Sequence, residues 1–219
     1  MATRRLLNEL AQAYAHVSGQ TVAIESVGGV DAARRVRDGE AFDIVVLASA
    51  AIDGLVADER VAADSRIGIA RSSIALAVAH GAPKPEIDSE DSVRRAVAHA
   101  GSVGVSTGPS GAHVARLFER WGLSGAPRPR IVEAPPGIPV GTLVARGEAE
   151  LAFQQWSELM DLPGLEVVGL LPPSIQQETV FAGAVCVSSA QPDAAAAFLS
   201  YLASADADES RRRQGMTRA

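Results

Sequence analysis

Apolar and polar positions alternate with two distinct periods along this chain, and the period changes every ten to fifteen residues. Leu6, Leu7, Leu10, Ala11, Tyr14 and Val17 recur at helical spacing, which predicts an amphipathic helix over 3–17 that Gly19 ends. Val22 and Ile24 alternate with polar neighbours, so Thr21–Ser26 reads as a strand. Gly28-Gly29 then turns the chain into a helix over 31–37, with Asp31 placed as its N-cap and Gly39 at its end. Asp43–Leu47 is short and almost wholly apolar, the pattern of a strand buried on both faces. A helix over 48–56 follows. Strands are predicted at 67–69 and 74–78, then a helix at 89–98 with Ser89 as cap and Ser92 or Val93 turned inward. The rhythm continues with a strand at 103–105, a helix at 110–121, a strand at 131–132, a short helix at 140–146 and strands at 151–153 and 167–170. A strong strand at 180–187 and an Ala-rich helix at 192–203 with Pro192 near its first turn complete the series. Strands alternating with helices imply an α/β fold built on parallel sheet.

At 219 residues the chain is one large or two small domains, and 47% apolar residues suffice for a real core. The Pro-rich stretches at 81–85, 126–129 and 134–139 are short and read as loops. Arg occurs 19 times and Lys once, at Lys84, a compositional bias without chemistry attached. A net charge of −6 and a pI near 5.3 argue against a general nucleic-acid binder, which needs a basic face. The Arg211-Arg212-Arg213 run is read as a solvated helix end. One cysteine, Cys186, excludes a disulfide framework and a cysteine zinc site. No apolar run approaches the roughly 18 residues that span a membrane. The start of the chain shows no apolar export segment or small-residue cleavage site, which as written points to the cytoplasm.

Catalytic signatures are missing: no Gly-x-Ser-x-Gly, no Walker loop, no His-Glu-x-x-His, no Gly-x-Gly-x-x-Gly after a strand. His16, His80 and His99 read as structural or solvent-facing, and neither a metal nor a cofactor is expected. What the pattern offers instead is four Gly- and Ser-rich loops, each before a helix: 26–30, 47–50, 106–111 and 139–142. Helix N-termini carry N–H groups without intrahelical acceptors and a partial positive charge, so they bind anions without a basic side chain. In an open α/β sheet such loops lie at the carboxyl ends of strands, where ligands bind.

These segments carry a resemblance. Gly29-Val-Asp-Ala-Ala-Arg-Arg-Val-Arg-Asp-Gly39 with Phe42-Asp-Ile-Val-Val-Leu-Ala48, Gly108-Pro-Ser-Gly-Ala-His-Val-Ala-Arg-Leu-Phe-Glu-Arg-Trp-Gly-Leu123, Val144–Phe153 and Gly169–Gln176 together resemble the molybdate-binding branch of the type II periplasmic binding proteins. The likeness spans roughly residues 3–216 and extends to the aconitate-isomerase-like members. It implies two α/β lobes with a ligand held between them: lobe 1 at 1–72 plus 183–219, lobe 2 at 73–182. It also implies a monomeric solute-binding protein that takes a small anion for an ABC-type permease, with an intracellular isomerase of a small carboxylate as the alternative. Matched motif by motif, the ligand-binding positions are Gly29, Val30 and Ser49 in the first lobe and Ser110, Gly111, Val140 and Gln155 in the second. Arg71 and Thr179 lie at the proposed crossovers. For an isomerase the general base is His113, with Glu158 or Glu178 as alternates.

The sequence departs from the pattern twice. Gly29-Val30 offers no hydroxyl where molybdate binders present one, and Gln155 stands where they present a Tyr, so Gln154, Gln155 and Glu158 suit a larger carboxylate better. Family members also open with a strand and a Ser-containing loop before the first helix. That first strand is missing here, which predicts an exposed sheet edge in lobe 1, and a periplasmic location if an upstream segment precedes Met1.

Overall fold

The computed structural model describes residues 2–123, 129–135 and 137–219. Most of the Pro-rich stretch at 126–129 lies outside them, as do Pro136 and Met1.

The chain begins with α1 (Arg4–Ser18), closed by Gly19 in the left-handed conformation. Next come α2 (Gly29–Arg37), β1 (Ile44–Ala48), α3 (Ser49–Ala57) and β2 (Ile67–Ser72). A second series follows: β3 (Ile74–Ala79), α4 (Glu90–His99), β4 (Ser102–Val105), α5 (Pro109–Arg120), β5 (Arg130–Glu133), α6 (Val140–Ala145), β6 (Leu151–Gln155), α7 (Trp156–Leu159) and β7 (Leu165–Leu170). The chain ends with β8 (Thr179–Val185), α8 (Pro192–Ala203), α9 (Asp208–Arg213) and β9 (Met216–Thr217).

These elements divide into two compact units, residues 1–72 with 179–219 and residues 73–178. The second boundary falls at Thr179 rather than 183, because β8 pairs with β2 from Thr179 onward and with β1 over Phe181–Val185. Unit 1 holds a four-stranded sheet in the order β1-β8-β2-β9. Unit 2 holds a five-stranded sheet in the order β5-β4-β6-β3-β7. The α/β class stands, but both sheets are mixed. β4 runs parallel to β5 and β6, while β8 and β3 run antiparallel to their neighbours.

Each sheet is covered on both faces, and side-chain alternation sorts the core. In β1, Val45 and Leu47 join Ala33, Val36, Ile52 and Leu55 of α2 and α3. Ile44 and Val46 turn to the opposite face, toward α1 and α8. In β3 the large residues Ile74, Leu76 and Val78 pack under α4 and α5. Its alanines, Ala75 and Ala77, leave room for α6 and α7 on the other face. Ser89 caps α4 as expected: its Oγ accepts from Ser92 N–H at 3.2 Å and its own N–H donates to Ser92 Oγ at 3.0 Å. Asp31 does not cap α2. Gly28 holds that position, and Asp31 sits in the first turn, where its charge favours the helix.

Thr21–Ser26 is not a strand. Val22 and Ile24 pack on the core as the alternation requires, yet among the described residues the segment joins no sheet. Alternation reports burial of one face, whereas a strand also needs a neighbour for its backbone. Arg35 fastens the segment instead, bridging Glu25 and Glu40 and lying 4.9 Å over the Phe42 ring. β1 is the edge strand on this side, and a cavity of about 110 Å³ lined by Leu7, Ile24, Val27, Val36, Phe42 and Ile44 adjoins it.

The arginine run is a second departure. Arg211 is fully buried: Nε donates to Ile69 O at 2.7 Å, Nη1 to Ser204 O at 3.0 Å and to Asp208, and Nη2 to Leu202 O. Arg213 remains at the surface, paired with Glu9 and Glu209.

Cys186 is buried beside an isolated bridge to Val61. Burial and the nearby Asp43 push its thiol up to about 11. The folded thiol therefore stays protonated at neutral pH, and a thiol-specific reagent should label it only after denaturation. The sign follows from linkage: the unfolded thiol ionises first, at about pH 8.5, so the stabilisation is complete below that value and is lost as pH rises towards 11. Fast labelling of the native protein at pH 7.5 would contradict this.

Candidate functional site

Strands β5, β4 and β6 of unit 2 run parallel, so their carboxyl ends share one sheet edge. The start of β3 and the end of β7 join them there, because Ile74 pairs with Gln155 and Ala75 with Leu170. Ser110, Gly111, Val140 and Gln155 are thus brought to a single edge.

The turn from β4 into α5 is the most constrained part of that edge. Ser106 and Ser110 lie 3.1 Å apart, Oγ to Oγ, and Gly108 N–H donates to Ser106 Oγ at 3.3 Å. Ser110 is buried. A Cβ on Gly111 would stand 1.6 Å from Ser106 O, so only glycine permits this approach of helix to loop. The first-turn N–H groups of a twelve-residue helix and two hydroxyls therefore converge at the end of β4. Ser106 opens one of the four loops read from the sequence but is not among the ligand positions assigned there. The Ser-x-x-x-Ser spacing across a strand-to-helix turn is the signal that would have found it.

Val140 serves differently from the expectation. Its N–H is donated to Gln154 Oε1 at 2.7 Å, so it is spent inside the unit instead of being offered to an anion. Gln154 is buried, and its amide nitrogen donates to the Glu158 carboxyl. Burial pushes that carboxyl above the usual carboxylate range. Gln155 is also buried, at the end of β6. His113 is half-buried, and its Nε2 lies 2.8 Å from Ile175 O; since a carbonyl only accepts, Nε2 carries the proton and donates. This ties the ring to the turn after β7. Glu178 is exposed.

The candidates of unit 1 gather at one edge of their own sheet. A Cβ on Gly29 would meet Leu47 Cδ2 at 3.8 Å, which places the start of α2 beside the end of β1. Ser49 opens α3 directly after β1, and its Oγ accepts from Arg66. Arg71 and Thr179 lie at the same end, where Ser72 pairs with Thr179 and Arg71 with Val180. Val30 is 73% exposed. Among the described residues, no group of three His, Cys, Asp or Glu is placed to hold a metal ion. No described helix is long and apolar enough to cross a membrane.

Comparison with known proteins identifies the family and the fold. A family model described as bacterial extracellular solute-binding protein matches residues 1–217. An aconitate isomerase from a Pseudomonas species is 42% identical over 209 residues, covering 92% of this chain and 79% of that protein. Among solved structures, the periplasmic molybdate-binding protein of Azotobacter vinelandii superposes with a TM-score of 0.79 at 18% identity, covering 100% of this chain and 96% of the other. The sulfate-binding protein of Mycobacterium tuberculosis gives 0.79 at 17% identity, covering 97% and 82%. The fold expected from the resemblance is therefore the fold observed.

Proposed function

Since the chain belongs to the bacterial extracellular solute-binding protein family, we propose that it captures a small carboxylate anion, acting as a monomer that passes its cargo to an ABC-type permease. The observation that carries this reading is the β4–α5 turn. Its Ser106–Ser110 hydroxyl pair and the α5 N-terminus supply donors for anionic oxygens with no cation in the turn. Gln155 at the end of β6, in place of an aromatic hydroxyl, and the neighbouring Glu158 suit an organic acid better than a compact tetrahedral dianion. Gly29, Val30, Ser49, Arg71 and Thr179 are the corresponding candidates of unit 1.

A thermal-shift screen with citrate, aconitate, malonate, molybdate, tungstate and sulfate tests the proposal. One or more carboxylates at a hundredfold excess over Kd should stabilise the protein by about 2.7 kcal/mol, a rise of a few degrees. A response to molybdate alone would move the reading to oxyanions, and a response to none would end it.

A second reading is supported by the 42% identity to an aconitate isomerase. On it, the same edge holds an unsaturated carboxylate and a general base moves one proton. The role also fixes the compartment proposed: outside the cytoplasmic membrane for a permease partner, inside for an isomerase. A neighbouring permease gene would favour the first, and proton exchange into aconitate the second.

A further inference from the structure

We propose that His113 is the general base of the unit 2 edge, acting through Nδ1 while the Ile175 carbonyl sets its ring; this rests on the isomerase reading. Nε2 lies 2.8 Å from Ile175 O, and a carbonyl only accepts, so Nε2 carries the proton. In a neutral imidazole the hydrogen bond made by one nitrogen decides the state of the other. Nδ1 therefore holds the lone pair, and among the described residues it has no hydrogen-bond partner.

The acceptor that fixes this tautomer is itself held. Ile175 is buried, and its N–H donates to Pro172 O at 3.0 Å. The next residue, Gln176, locks the turn onto the start of β3. Its Oε1 accepts from Ile74 N–H at 2.9 Å, and its Nε2 donates to Ile74 O at 3.0 Å and to Leu171 O at 3.3 Å. Arg116, three residues beyond His113 on α5, donates to Gln177 Oε1 at 3.1 Å and gives the helix a second tie to the same turn. A base oriented by a second group, itself oriented by a third, is the arrangement that activates a catalytic group. The same helix supplies the anion donors. His113 follows Ser110 by three residues, which puts the two side chains on one face with Cβ atoms about 5–6 Å apart. A carboxylate accepted at the Ser106–Ser110 turn thus has its neighbouring methylene carbon within one helical turn of the base. His113 is only half-buried, so the ring is open to a substrate.

The step balances without a co-reactant. Nδ1 takes a proton from the methylene carbon of an unsaturated tricarboxylate, and the C–H electron pair spreads over the adjacent three-carbon allylic system. The ring becomes an imidazolium whose Nε2–H still donates to Ile175 O. It then returns the same proton, or one exchanged with water, to the far carbon of that system. One C–H bond breaks, one forms, and the double bond moves by one position.

Proton NMR of aconitate in D₂O with the full chain tests this. The wild-type protein should incorporate deuterium and interconvert the cis and trans forms. His113→Gln retains an N–H to offer Ile175 O but no basic nitrogen. It should lower the exchange rate by at least about 100-fold, with aconitate affinity by calorimetry within about threefold of wild type. His113→Ala should lose as much, and added imidazole should raise its rate at least about tenfold, a rescue that a purely structural role would not give. If His113→Gln exchanges as fast as wild type, the assignment is overturned while the isomerase reading stands. If the wild type exchanges no proton into aconitate, the isomerase reading falls and takes the assignment with it.

Discussion

Replacing Arg211 with methionine is expected to destabilise unit 1 by about 3–5 kcal/mol, the range for breaking a buried ionic hydrogen-bonding group by removing one partner. The guanidinium ties the carbonyls of Ile69, Leu202 and Ser204 to the Asp208 carboxylate. It thereby joins β2, the end of α8 and α9. Methionine fills much of the volume and donates nothing, leaving buried carbonyls without their donor. Lysine should fail nearly as badly, since one ammonium cannot reproduce a planar fork across three carbonyls. Against a typical total of about 5–15 kcal/mol, either change should shift a urea unfolding midpoint visibly. A loss below about 1 kcal/mol would show that the network is dispensable.

Gly111→Ala should destabilise unit 2 by about 3 kcal/mol and abolish the ligand-induced thermal shift. In an ordinary helix interior this substitution stabilises by about 1 kcal/mol. Here the new Cβ would lie 1.6 Å from Ser106 O and 2.7 Å from its carbonyl carbon, so either the β4–α5 turn or the helix must move. Such a shift separates the Ser106–Ser110 pair from the α5 N-terminus, which joins the stability loss to a binding loss. Ala112→Gly, at the exposed next position, is the control and should weaken the helix by only about 1 kcal/mol. Unimpaired stability of Gly111→Ala would refute the close approach.

Much of this architecture was legible in the sequence because period and punctuation agreed. β3 reads Ile-Ala-Leu-Ala-Val-Ala and is a central strand with large side chains on one face. The Ser89 cap and the Pro192 start were placed correctly. The misses share a cause: local pattern carries no information about distant partners. Thr21–Ser26 has strand alternation but no ladder neighbour among the described residues. Arg211 looks like its two exposed-helix companions until its acceptors arrive from β2 and from the end of α8. Among the site candidates, the loop carrying Ser110 and Gly111 could be found from its glycines and serines. That Val140 spends its N–H on Gln154 could not, because the two lie 14 positions apart and meet only through the sheet.

The interrupted course of unit 1 has a consequence for how the protein is made. Its second strand ends at Ser72, yet the strand that both β1 and β2 need, β8, is complete only at Val185. At typical translation speeds of about 5–20 residues per second, the intervening stretch takes roughly 6–23 s to emerge. During that interval the continuous unit 2 can finish folding while two apolar strands of unit 1 wait without their shared partner. The nascent chain thus carries its greatest risk of misassociation in mid-synthesis, and a chaperone that shelters residues 44–72 would act in that window.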